Sequence, residues 1–222
     1  MKHLVIAIDG PSGAGKGTVA RAVARALRYR HVDTGAMYRA VAWKALHDRV
    51  DLESEAAVAT VAKGAQFELG DGAVRIDGHD VAAAIRTPDI DAAATKVARH
   101  PAVRGVLVSR QREYGTHGGI VMEGRDIGTV VFPNADVKIY LDASPEERAR
   151  RRALDPAHAG TVPRDVSDVA TALAERDKSD STRAVSPLAI AADAVRIDTT
   201  GLSVEEVVRR VLDVVGQKGS DE

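Results

Sequence analysis

Apolar positions fall along this chain in two alternating patterns, short unbroken runs and stripes at helical spacing. Leu4-Val5-Ile6-Ala7-Ile8 is an unbroken run, the mark of a strand covered on both faces. Val19, Ala22, Val23, Ala26 and Leu27 then form a helical stripe, with Arg21, Arg25 and Arg28 on the opposite side. A short strand, His31-Val32-Asp33, leads into a second helix reaching about His47, and Glu53 to Lys63 also reads as helical. From Gln66 to Val81 the period changes. Short alternating runs punctuated by Gly70-Asp71-Gly72 and Asp77-Gly78 predict a small antiparallel element. Pro88 opens a helix through Thr95 to Ala98, and Pro101 opens another through Arg104 to Tyr114. Buried-strand runs return at Gly119 to Met122, Val137 to Leu141 and Val195 to Asp198. Helices starting at Pro145, near Val166 and at Val204 fill the remainder, with Ser203 placed to cap the last one.

Five short strands separated by helices predict an α/β fold with a parallel sheet in three layers. The antiparallel stretch is foreign to such a core and predicts an inserted subdomain. In sheets of this kind ligands bind at the carboxyl ends of the strands. Asp33-Thr34, Glu123 to Asp126 and Asp142 each follow a strand and so gather at that edge.

Composition narrows the picture. A chain of 222 residues, 45% hydrophobic, has room for one large core with insertions. A net charge of −1 supplies no bulk attraction to nucleic acid or acidic membranes, so neither is expected as a partner. The absence of cysteine excludes disulfides, thiol catalysis and thiolate metal sites. No apolar stretch has bilayer-crossing length, and the first residues lack a signal-peptide pattern, so a cytoplasmic protein is expected. The polar tail from Gln217 to Glu222 is expected to fray.

The chemistry is concentrated in Gly10-Pro11-Ser12-Gly13-Ala14-Gly15-Lys16-Gly17-Thr18, placed between the first strand and the first helix. Strand, glycine-rich turn, lysine and helix in that order form a phosphate-binding P-loop. Its backbone N–H groups converge on an anion, the helix N-terminus adds donors, and Lys16 reaches the outer phosphates. Gly17 stands where Ser or Thr commonly follows the lysine, with the hydroxyl one place later at Thr18. That argues for a Mg²⁺ ion held mostly by nucleotide phosphates and water, with no dedicated protein metal site.

Arg39, Arg104, Arg125, Arg176 and Arg183 lie at or near predicted strand ends, loops and helix starts. Guanidinium forks there can neutralise a transferring phosphoryl group, while any one of them taken alone reads more readily as a surface salt bridge. The run Arg148, Arg150, Arg151, Arg152 has two readings. It is a solvated face paired with Glu146 and Glu147, or part of a lid over ATP phosphates leading into the breaker-rich Asp155 to Gly160. Glu123 and Asp126 can serve as a metal carboxylate or a base. The seven histidines sit apart along the chain, as core or surface residues, and Trp43 and Tyr38 read as packing residues on a helix.

Six segments together resemble the bacterial cytidylate kinases, the CMP/dCMP branch of the nucleoside monophosphate kinases. They are GPSGAGKGT (10–18), DTGAMYR (33–39), IRT (85–87), EGRDIGTVVFP (123–133), KIYLDAS (138–144) and RDKSDSTRAVSPL (176–188). The resemblance implies a P-loop kinase core from residues 1–34, 106–145 and 166–222, a nucleoside-monophosphate-binding insert at 35–105, and a short lid at 146–165. It implies ATP on Gly10 to Thr18, and the CMP phosphate on Arg39, Arg125 and Arg176. Sugar hydroxyls would fall to Asp180 and Arg183, and the cytosine edge to Thr95, Arg104 and Asp126, with Thr34 nearby. Lys16, Arg125 and Arg176 would be the catalytic groups, and ATP with Mg²⁺ and CMP or dCMP the substrates of a monomeric enzyme. Thr34 and Thr95 stand where that family often has Ser. A related kinase acting on UMP or another acceptor is the alternative. A GTPase switch fits poorly, because the single asparagine, Asn134, is followed by Ala135 and not by the Lys-x-Asp of guanine readers.

Overall fold

The computed structural model describes residues 3–70, 72–155 and 165–220. In chain order the first half runs β1 (Val5–Asp9), α1 (Lys16–Leu27), β2 (Arg30–Asp33), α2 (Thr34–His47), α3 (Glu55–Gly64), β3 (Phe67–Gly70), β4 (Ala73–Ile76) and β5 (His79–Asp80). The second half runs α4 (Pro88–Val97), α5 (Pro101–Gly115), β6 (Ile120–Glu123), a π-helical turn (Ile127–Val131), β7 (Val137–Asp142), α6 (Pro145–Leu154), α7 (Val166–Thr182), β8 (Val195–Asp198) and α8 (Val204–Ser220).

Five strands form one sheet in the order β2-β6-β1-β7-β8, with every neighbouring pair parallel. β1 is central. Ile6 faces Val121 on one side and Val137 on the other, which explains why this strand reads as an unbroken apolar run. Its side chains alternate between the two outer layers. Ile6 and Ile8 pack with Val19 and Val23 of α1 and Val207 and Val211 of α8. Ala7 points the other way, joining Val32, Met122, Val108 of α5 and Ile127 of the π-helical turn. The expected three-layer parallel α/β core is therefore present.

The antiparallel stretch is a separate three-stranded sheet, β3-β4-β5, turned at Asp77, whose φ is 51°, and Gly78. It packs beside α2 to α5, which have their own core around Met37, Val41, Val58, Val97 and Leu107. The division drawn at 105/106 falls inside α5, which runs unbroken from Pro101 to Gly115. α6 covers the first part of the expected lid, while residues 156–164, with most of the breaker-rich loop, lie outside the described residues. So do residues 221–222 of the polar tail.

Two features depart from the sequence reading. The π-helical turn has no periodic signal, being five residues held by i to i−5 bonds such as Phe132 N–H to Ile127 O at 2.7 Å. The histidines are not all apart: His47 and His79 come together around Trp43, with the two imidazoles 5.6 Å apart, because β5 folds back over α2.

Candidate active site

β1 delivers the chain to Gly10 at the carboxyl edge of the sheet. Gly10 has φ +146°, and a Cβ there would lie 2.0 Å from the Leu141 carbonyl oxygen, so no other residue fits. The loop then lifts around to Lys16, the first residue of α1. Lys16 Nζ donates to the Pro11 carbonyl at 2.7 Å. Burial, with the nearby Arg125 charge, pulls its pKa down to about 7. Gly17 has its own reason. A Cβ at that position would stand 3.2 Å from Glu123 Oε1, close enough that the Glu123 side chain would have to shift slightly.

Ser12 to Thr18 line a cleft of about 750 Å³, while Gly10 and Pro11 shape the loop from behind it. The same cleft is lined by Thr34, Arg39, Thr95, Arg104, Arg125, Asp126, Arg176, Asp180 and Arg183, so residues far apart in sequence share one space. Its size suits a nucleotide-sized ligand.

Arginines occupy the middle of the cleft. Arg39 pairs with Asp33 at 2.8 Å, Arg125 Nε donates to Asp180 at 2.9 Å, and Arg176 Nη1 donates to Asp91 at 3.2 Å. Burial and the Arg125 charge push the Arg176 pKa down, partly offset by Asp91. Burial opposes the charge on Asp180, but Arg125, Arg176 and Arg183 outweigh it and hold its pKa low. A site with this much compressed positive charge gains from a bound polyanion.

The far end is built on α5 and the β6 loop. Arg104 donates to Asp126, and both are buried, at 2% and 5% exposure. Arg183 Nη2 stands 3.7 Å from Asp126 and its Nη1 3.7 Å from Asp180, so it sits between the pair's carboxylate and the Asp180 side chain. The Arg104 guanidinium lies over the Tyr38 ring, 5.4 Å from its centre. Tyr38 therefore packs, as expected, and also lines the cleft. Arg39 Nε, Arg104 Nε, Arg183 Nη2 and the Tyr38 hydroxyl are buried without a hydrogen-bond partner among the described residues. Unmet donors of this kind call for acceptors on a ligand. The two threonines differ. Thr34 Oγ1 donates to the Glu123 carbonyl at 2.7 Å, and Thr95 Oγ1 donates to Asp91 O within its own helix at 2.9 Å.

The arginine run of α6 splits by role. Arg148 ties to Asp177 and, at 3.1 Å, to the Ser12 carbonyl; Arg151 holds Glu147 and Thr199; Arg150 pairs with Glu147 at the surface; Arg152 reaches Asp91. Three acids escaped the sequence reading or were left open by it. Asp9 closes β1 and accepts from Ile127 N–H at 2.9 Å and Gly128 N–H at 2.7 Å, clamping the loop that carries Arg125 and Asp126. A lone acid ending an apolar strand was the available signal. Glu123 pairs with His31 Nε2 at 3.0 Å beside the P-loop, and Asp91 has no sequence signal at all. Among the described residues no group of three or more His, Asp or Glu side chains could hold a metal ion, and no helix is long and apolar enough to cross a membrane.

Comparison with known proteins shows the family. The cytidylate kinase family model matches residues 6–217. A cytidylate kinase of Solibacter usitatus (strain Ellin6076) is 49% identical over 96% of this chain and 93% of its own length. A bifunctional pantoate ligase/cytidylate kinase of Prochlorococcus marinus (strain MIT 9303) is 47% identical over 95% of this chain, which spans 44% of that longer protein. Among solved structures, a shikimate kinase from Acinetobacter baumannii in complex with shikimate superposes with a TM-score of 0.50 at 14% identity, covering 96% of this chain and 93% of that one. At that identity the likeness shows a shared kinase fold alone. Loop, arginine cluster, sheet order and matched sequence lead to one assignment: this chain belongs to the cytidylate kinase family.

Proposed function

We propose that the protein transfers the γ-phosphoryl group of ATP to CMP and dCMP, giving ADP with CDP or dCDP. The observation that carries this reading is one cleft with a P-loop and Lys16 at one end, the buried Arg104–Asp126 pair at the other, and arginines between. Backbone N–H groups from Ser12 to Thr18 would cradle the ATP phosphates, and Lys16 would regain its proton against them. Arg39, Arg125 and Arg176 would hold the acceptor phosphate in line with the γ-phosphorus. An oxygen of that phosphate forms the new P–O bond as the bond to the β–γ bridging oxygen breaks. No base is needed, because a phosphate monoester is mostly dianionic at neutral pH, its second pKa being about 6. Positioning and charge neutralisation then supply the catalysis.

Base choice follows from donor and acceptor patterns. The cytosine exocyclic amino group donates, and a carboxylate such as Asp126 accepts from it, while the ring acceptors suit Arg104. Uracil presents an acceptor where cytosine has that amino group, and it would face the Asp126 carboxylate unfavourably. Asp180 and Arg183 lie toward the sugar in this reading.

Mg²⁺ fits the donor set in a limited way. Thr18 and Glu123 are hard oxygen donors beside the loop, too few to form a cage, which suits an ion held largely by phosphates and water. When bound it would supply charge neutralisation between the phosphates. In this reading the protein acts as a monomer in pyrimidine nucleotide metabolism in the cytoplasm. ADP release with ATP and Mg²⁺ against CMP, dCMP, UMP, AMP and GMP tests the proposal. Turnover with CMP and dCMP well above the others is expected; brisk turnover with another acceptor and none with CMP contradicts it.

A further inference from the structure

Asp91 stands in the first turn of α4 and lines a smaller cavity of about 300 Å³ with Thr95, Arg152 and Arg176, which also line the cleft. Its carboxylate accepts from Arg152 Nη2 on α6 and from Arg176 Nη1 on α7, the latter at 3.2 Å. All three side chains are largely shielded, at 15–18% exposure. Burial lowers the pKa of both guanidinium groups, and repulsion among Arg39, Arg125, Arg152 and Arg176 adds to it, with Asp91 the counter-charge between two of them. The transfer reaction has no use for a carboxylate there. A phosphoryl group bound to the same two guanidinium forks would face its negative charge.

We propose that Asp91 is a built-in stand-in for substrate phosphate, an autoinhibitory contact that occupies Arg152 and Arg176 until phosphates displace it. This rests on the reading that the cleft binds phosphates, but not on which base it selects. The contact spans the insert and the α6–α7 side, so its release also frees the two sides to rearrange around ligand. Because the carboxylate competes for the same donors, anions bind less tightly than the bare arginine cluster would allow. A contact formed in nine molecules of ten weakens apparent affinity about tenfold. It also keeps Arg152 and Arg176 away from the ATP γ-phosphate when the acceptor phosphate is missing, which restrains transfer to water.

Pyrophosphate binding, measured by titration calorimetry at low salt, tests this without any acceptor. Asp91→Asn is expected to bind pyrophosphate about tenfold more tightly than the wild type, and Asp91→Ser likewise should the first variant fail to fold. Asp89→Asn removes an exposed acid from the same helical turn and is expected to change binding less than twofold. Unchanged or weaker binding in both Asp91 variants overturns the proposal, as does equal tightening in Asp89→Asn. In turnover, Asp91→Asn is expected to lower the KM for the acceptor and to raise ATP hydrolysis without acceptor several-fold; hydrolysis no faster than wild type overturns the gating role. Tighter pyrophosphate binding alongside no CMP turnover would uphold the contact and sink the acceptor assignment.

Discussion

At the scale of single residues, burial sets the protonation chemistry of the cleft. Lys16 is 6% exposed, and its pKa is depressed to about 7, so at pH 8 the amine is mostly neutral in the free protein. A phosphate beside it favours the charged form, so nucleotide binding must take up a proton. Calorimetry at pH 8 in buffers of different ionisation heat is expected to show net uptake, with affinity falling up to tenfold per pH unit between about 7 and 9. Binding without proton exchange contradicts it. Asp126 makes a second residue-scale prediction. Asp126→Asn keeps the size of the side chain but loses the acceptor-only character that the proposed reading sets against the cytosine amino group. It should lower kcat/KM for CMP by about 10²-fold or more while UMP changes little, in steady-state assays with each nucleotide. The P-loop and the arginines were legible as residue types, since a lysine between strand and helix has few other uses. What they touch was not. Asp91 meets Arg152 and Arg176 across 61 and 85 positions, and four neighbouring arginines of α6 turn out to hold four different sets of partners.

At the scale of elements, strands and helices followed from period and punctuation, because buried parallel strands and amphipathic helices leave different apolar patterns. Ser203 before α8 is a case where the local signal was sufficient. Its hydroxyl accepts from Glu206 N–H at 3.2 Å, while its own N–H donates to the Glu206 carboxylate at 2.8 Å, a reciprocal cap. Ser203→Ala should cost about 1 kcal/mol in urea unfolding. The π-helical turn at 127–131 was not legible, because it is held from outside by Asp9. Burial raises the Asp9 pKa from its ordinary 3.8 to about 6, against the pull of the Gly128 and Ile127 N–H groups. A folded-state pKa above the unfolded one means stability that is fully present below pH 4 and lost as pH rises through 6. By pH 7 the ionised group costs about 2 kcal/mol relative to pH 4. The stability of Asp9→Asn relative to wild type should therefore shift by about that amount in the variant's favour from pH 4 to pH 7; a gap that stays constant refutes the buried ionisation.

At the scale of the whole molecule, two sets of apolar clusters lie on either side of a charged cleft. The sheet packs with α1 and α8 in one, and the insert helices pack around Met37, Val58 and Leu107 in another. Across the cleft a single carboxylate, Asp91, bridges Arg152 and Arg176. Ligand phosphates that take its place bring more negative charge to those and the other arginines, so bound ligand should stabilise the assembly. ATP and CMP together, each about 100-fold above its Kd, should raise Tm by at least 5 °C, and less at high salt. The architecture was legible because alternating strands and helices admit few parallel topologies. The central claim is that one cleft passes a phosphoryl group from ATP to a cytidine nucleotide chosen by its base. The most direct measurement puts equal CMP and UMP in one tube with limiting ATP and Mg²⁺ and reads the CDP to UDP ratio at early times. That ratio is the ratio of kcat/KM values, expected at about 10² or higher. A ratio near one, or an excess of UDP, would contradict the account.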